Sequence, residues 1–255
     1  MAAMSQSTSF SYAETFTPVR SRKKRKAKAN TPESPLLLLD RTKRELESDA
    51  GTWTKECQEL VRAALADADI REPDVLCLGL GSPTASHNSR AQLAFLIQLC
   101  NFLDIHTSKV TAYDPAFTDA DRGLLTDLDV RCLTENTENK AGTHPIGCPT
   151  ILYLPHCDLW LYERIVRENW SPVQLGRVVF IANRFKDYVD NIPAAKMNKQ
   201  YPCLTRFVPM LEAVAIPASV AYPTAFNSLA IQFVNKSSLP SPDDAFWTLP
   251  DQGSD

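Results

Sequence analysis

Four groups of residues in this chain have the types and spacing to do chemistry. They are Gly79, Gly81 and Ser82; Asp114; His156 and Cys157; and Asn183, with Arg184 beside it. Each group closes a short apolar run. In an open α/β sheet such positions meet at the carboxyl ends of the strands, where ligands are held. Gly79 and Gly81 permit positive φ and close backbone approach, as a phosphate or nucleoside requires. The Gly-Leu-Gly-Ser-Pro stretch lacks the third glycine of the dinucleotide fingerprint, so a bare strand-to-helix turn stands as the competing reading. Asp114 suits the hydroxyls of a ribose. Its separation from Gly81 exceeds the usual spacing of roughly 20, and Asp-Pro also simply opens turns. His156 and Cys157 together suggest acid–base work, a nucleophile or a metal ligand. Adjacent side chains rarely face one site, and no second His/Cys pair has ligand spacing, so no metal is expected. The competing reading is a histidine that hydrogen-bonds its loop beside a buried thiol.

The elements that must position these groups follow from periodicity. Two helices are expected over Leu37–Asp49 and Thr52–Ala68, the second with Cys57, Leu60, Val61, Ala64 and Leu65 at helical spacing. The apolar run from Asp74 then enters the glycine turn, and a helix over Ser89–Leu103 follows. Strands are expected over Lys109–Tyr113, Val130–Leu133, Thr150–Leu154 and Arg177–Ala182. Helices are expected over Thr118–Leu128, with Thr118 as N-cap, and over Leu159–Trp170. Trp160, Tyr162 and Trp170 of the last helix are expected to pack in the core. Leu211–Ile216 and Leu229–Val234 complete the strands as an antiparallel edge pair. Strands alternating with helices predict a Rossmann-like three-layer α/β domain with a mostly parallel, about seven-stranded sheet.

Composition bounds the rest. With 255 residues and 44% hydrophobic content, the chain can bury one sizeable core. No apolar run has the length to cross a bilayer and the N-terminus lacks a signal peptide's apolar region, so a soluble intracellular protein with no membrane partner is expected. Seven scattered cysteines without Cys-x-x-Cys read as small buried hydrophobes in a reducing compartment. The net charge of −3 divides unevenly. Residues 1–35 hold seven basic and two acidic residues, which leaves the remainder strongly acidic and a poor match for nucleic acid. This divides the chain into a disordered basic tail over 1–35, a domain over 36–236 and a flexible acidic tail over 237–255. Arg22, Lys23, Lys24, Arg25, Lys26 and Lys28 form a dense cluster that fits a nuclear import signal, a nucleic-acid tether or a solvated tail.

Several pieces occur together in one order: Gly79-Leu-Gly-Ser82, Gln92-Leu93, Tyr113-Asp-Pro-Ala-Phe117, Tyr153-Leu-Pro-His-Cys157 and Asn169-Trp170. This resembles the sensitivity-to-red-light-reduced (SRR-like) family over about residues 72–186. The resemblance implies a eukaryotic protein of nucleus and cytoplasm. It further implies links to light signalling and circadian regulation in plants and to haem-biosynthesis regulation and clock-gene expression in animals, with microtubule and proteasome-related phenotypes in yeast. No settled activity comes with it. Ala182-Asn183-Arg184 departs from the family's Gly-Asn-Ser-like end of the fifth strand. Two functions stay open: a regulatory protein whose crevice takes a small molecule or a protein partner, and an S-adenosylmethionine-dependent methyltransferase-like enzyme. S-adenosylmethionine and haem are the cofactors to consider. Against the enzyme, Cys77 stands where a methyltransferase's first motif has an acid, and Pro83 replaces its third glycine.

Overall fold

A computed structural model describes residues 33–48, 52–133 and 144–251. The basic cluster over 22–28, most of the 1–35 tail and residues 134–143 of the polar loop lie outside them. Seven strands form: β1 (Asp74–Leu78), β2 (Val110–Tyr113), β3 (Arg131–Cys132), β4 (Thr150–Leu154), β5 (Val178–Asn183), β6 (Leu211–Ala215) and β7 (Leu229–Val234). Their order across the sheet is β3-β2-β1-β4-β5-β7-β6. The first five pair in parallel. β7 runs antiparallel to both β5 and β6.

The last two strands form the antiparallel pair at one edge of the sheet, as expected, with β6 outermost and β7 between it and β5. Every residue of β7 is buried, as an apolar run flanked on both sides requires. In β6 the side chains from Glu212 to Ala215 are exposed, which suits an edge.

Ten helices are described. Pro35–Ser48 (α1), Trp53–Asp67 (α2) and His87–Phe102 (α3) pack over one face, with Asp119–Asp127 (α4) beside them. Leu159–Glu168 (α5), Pro172–Leu175 (α6), Phe185–Asn191 (α7), Ala194–Gln200 (α8) and Pro202–Phe207 (α9) lie after β4 and β5, and Pro223–Phe226 (α10) precedes β7. The strands alternate between the two cores: Ile151, Tyr153, Val179 and Ile181 face α1 to α3, while Leu152, Leu154, Phe180 and Ala182 face α5, α7 and α9. Thr118 caps α4 through a capping box with Asp121. No described helix is long and apolar enough to cross a membrane.

Beyond β7 the chain was expected to hang loosely. Instead Phe246 stacks on Trp170 at 5.2 Å between ring centroids, and Trp247 meets the same indole edge-on at 5.4 Å. Arg167 donates to the Pro250 carbonyl at 2.9 Å. These aromatic anchors, and not the acidic composition, decide where the described part of the segment lies.

Candidate functional site

The turn after β1 is built by the protein's own side chains. Gly79 and Gly81 have φ of 69° and 71°. A Cβ at Gly79 would lie 2.4 Å from Cys157 Sγ, and one at Gly81 would lie 2.7 Å from Ser89 Oγ. Both glycines are thus required by internal contacts as well as by backbone conformation. The Gly81 N–H donates to Asp114 Oδ2 at 2.7 Å, and the Ala116 N–H donates to Asp114 Oδ1 at 2.7 Å. Asp114, closing β2, is 7% exposed.

Ser82 belongs to a second carboxylate knot. Its hydroxyl donates to Asp121 Oδ1 at 3.0 Å, as do the Thr84 N–H at 2.9 Å and the Thr84 hydroxyl at 2.6 Å. Thr118 donates to Oδ2 from its N–H and its hydroxyl. Burial raises the Asp121 pKa, but the hydrogen bonds from Thr84 and Thr118 outweigh it and hold it down at about 2. From the other side Arg90 donates to the Pro83 and Thr84 carbonyls. The turn is pinned before any ligand arrives.

His156 is exposed and adopts φ of 55°, a left-handed conformation that histidine tolerates better than most residues. Its N–H donates to Asn183 Oδ1 at 3.2 Å. Its Nε2 lies 3.1 Å from the Ala225 carbonyl. A carbonyl only accepts, so Nε2 carries the hydrogen. Asn183 also donates to the Tyr188 hydroxyl at 2.8 Å, so it ties β5, α7 and the His156 loop together. Cys157 is buried and directs its thiol to the Leu78 carbonyl at 3.3 Å. Burial, with Asp114 and Asp158 nearby, pushes that thiol up to about 12. It is a protonated packing group, not a nucleophile.

A crevice of about 530 Å³ opens at these strand ends, with Gly79, Asp114, His156 and Cys157 in its lining. Gly81, Ser82 and Asn183 are not among its lining residues, although Asn183 accepts from the His156 N–H. The break in strand order falls between β1 and β4, which is where an α/β sheet places its ligand. Asp158, Trp160, Arg164 and His144 also line it, and the last three were not picked out for this role from sequence. Trp160, expected in the core, is 56% exposed, with the Arg164 guanidinium 5.2 Å over its ring. Tyr162 and Trp170 are buried as expected.

His144 is placed by α5 and the residue after it. Its N–H donates to Glu168 Oε2 at 2.9 Å, and its carbonyl accepts from Asn169 Nδ2 at 3.0 Å. Burial lowers its pKa against the opposing pull of Glu168, so the imidazole is neutral at neutral pH. Among the described residues no group of three or more His, Cys, Asp or Glu side chains has the arrangement to hold a metal ion.

The model of the SRR1 domain matches residues 46–233. The chain is 34% identical over 131 residues to an SRR1-like protein of Mus musculus, covering 51% of this chain and 52% of that one. It is 30% identical over 182 residues to an SRR1-like protein of Drosophila melanogaster, covering 70% and 62%. It is 24% identical over 114 residues to Protein SENSITIVITY TO RED LIGHT REDUCED 1 of Arabidopsis thaliana, covering 45% and 40%. The matches thus span about half to three-fifths of the length of the mouse and fly relatives. Among solved structures, an apo S-adenosylmethionine-dependent methyltransferase, SibL, matches at 14% identity and a TM-score of 0.37, over 73% of this chain and 56% of that one. With the family model covering most of its length, the chain belongs to the SRR1 domain family.

Proposed function

We propose that this chain is a regulatory protein whose strand-end crevice takes a small molecule, with the occupied state read by a protein partner. The observation that carries the reading is the crevice itself. It sits at the switch in strand order and gathers residues from the loops after β1, β2 and β4 around a pre-pinned turn. Regulation is favoured over catalysis by the state of the reactive groups. Cys157 is protonated, and both oxygens of Asp114 already hold backbone N–H groups. Links to circadian, light and haem regulation, and residence in nucleus and cytoplasm, belong to this proposal through the family resemblance. The test is a thermal-shift screen of the purified chain with S-adenosylmethionine, nucleosides, nucleotides and haem. A shift that disappears on Trp160→Ala supports the crevice. Full complementation of a deletion strain by Asp114→Ala and His156→Ala, with no ligand found, would overturn it.

The second reading is an S-adenosylmethionine-dependent methyltransferase. It is favoured by the seven-stranded sheet with a reversed strand inside it and an acid closing β2. Cys77 speaks against it: it is buried, and burial raises its thiol pKa well above the ordinary value, so the expected carboxylate has a neutral substitute. Transfer of a labelled methyl group to a protein or small-molecule acceptor would decide for the enzyme.

A further inference from the structure

We propose that the crevice selects a nucleoside that carries no phosphate. The inference rests on the crevice being a ligand site and adds the ligand's chemical class. A glycine turn that grips phosphate presents free N–H groups to it. Here the protein's own carboxylates occupy those donors. The Gly81 and Ala116 N–H groups point to Asp114, and the Thr84 and Thr118 N–H groups point to Asp121. A phosphate approaching the turn meets negative charge where a phosphate cradle offers donors.

The cationic side chain in the wall does not repair this. Arg164 is paired with Glu168 at 2.8 Å and lies over Trp160, so its charge is already compensated. Asp158 adds a further carboxylate to the lining.

What remains suits a neutral, hydroxylated, planar molecule. A carboxylate offers about four lone-pair directions, and Asp114 spends two on backbone, leaving two for hydroxyls. His144 is 9% exposed and lines the crevice, and its ring makes no hydrogen bond among the described residues. A neutral imidazole offers one donor and one acceptor, which is what the edge of a nucleobase pairs with. The exposed Trp160 indole supplies a flat surface for the base. The volume of about 530 Å³ holds a ligand of nucleoside size.

The test is isothermal titration of the full chain with adenosine and with adenosine monophosphate. The expected result is binding of adenosine, with the monophosphate weaker by about tenfold or more, as one uncompensated repulsion of ~1.4 kcal/mol would give. Asp114→Asn removes the charge and should narrow that gap. His144→Leu should weaken adenosine by about tenfold while the thermal melt holds. Trp160→Ala, at an exposed position, keeps the fold and should also weaken adenosine. Monophosphate binding as tightly as adenosine overturns the inference, and so does unchanged adenosine affinity in both His144→Leu and Trp160→Ala. If no nucleoside binds but another compound gives a Trp160-dependent thermal shift, the nucleoside assignment falls and the crevice reading stands. If nothing shifts the melt, both fall.

Discussion

Gly79 and Cys157 lie far apart in sequence and in contact in space, and each explains the other. The glycine leaves room for a thiol that donates to the Leu78 carbonyl, and the buried thiol fills the hollow behind the turn. Gly79→Ala should cost more than about 2 kcal/mol, from the clash with Sγ and from a side chain at positive φ. Adding Cys157→Ala should recover the clash and leave about 1 kcal/mol of backbone strain. Denaturant titration of both single variants and the pair measures this, and simple additivity would contradict it. Asp121 gives a second residue-scale expectation. Its folded pKa of about 2 lies below the ordinary value of 3.8, so its contribution is present above about pH 4 and fades as pH falls towards 2. The size is about 2 kcal/mol at neutral pH. Asp121→Asn should flatten the acid limb of stability between those pH values, while an unchanged limb would assign it to other carboxylates.

Elements that announce themselves by apolar content were legible before the structure. β4 and β7 have the bounds expected for them, because uninterrupted apolar runs need cover on both faces. The place of β7 in the sheet was not legible, since strand order is set by packing and not by adjacency in sequence. The three helices α7 to α9 also escaped notice. They are six or seven residues each, α7 and α8 carry Lys and Asn, and the run is broken by Pro193 and Pro202, so no helical period develops. What holds α9 is a remote side chain. Glu163 of α5 is 1% exposed and accepts from the Cys203 and Leu204 N–H groups at 3.2 and 2.7 Å. It caps the helix from a distance of some forty residues. Glu163→Ala should cost about 2–3 kcal/mol and raise hydrogen exchange over residues 202–207, whereas uniform exchange changes would refute a local cap. The candidate site divides in the same way. Gly79, Asp114 and His156 could be placed by the strand-end rule. His144 could not, because its position depends on Glu168 and Asn169, more than twenty residues further on.

At the scale of the molecule, charge separates the basic N-terminal stretch from an acidic remainder. The cluster over 22–28 is proposed to drive nuclear enrichment. Replacing its six basic residues with alanine in a fluorescent fusion should abolish that enrichment, and an unchanged distribution would end the proposal. The inserted β7 has a consequence of another kind, in time. During synthesis β6 leaves the ribosome before the strand that must separate it from β5. Among the described strands its sheet neighbour is β7 alone, so β6 has no seat until residue 234 is free. The growing chain must carry an apolar strand edge through that interval, the kind of exposure that recruits chaperones. A stop shortly before Leu229 therefore deprives the sheet of two strands, not one, and leaves β5 as a raw edge. Nascent chains arrested on either side of residue 234, plus the length of the exit tunnel, should differ sharply in protease resistance. A gradual rise in resistance with length would argue that β6 finds shelter earlier.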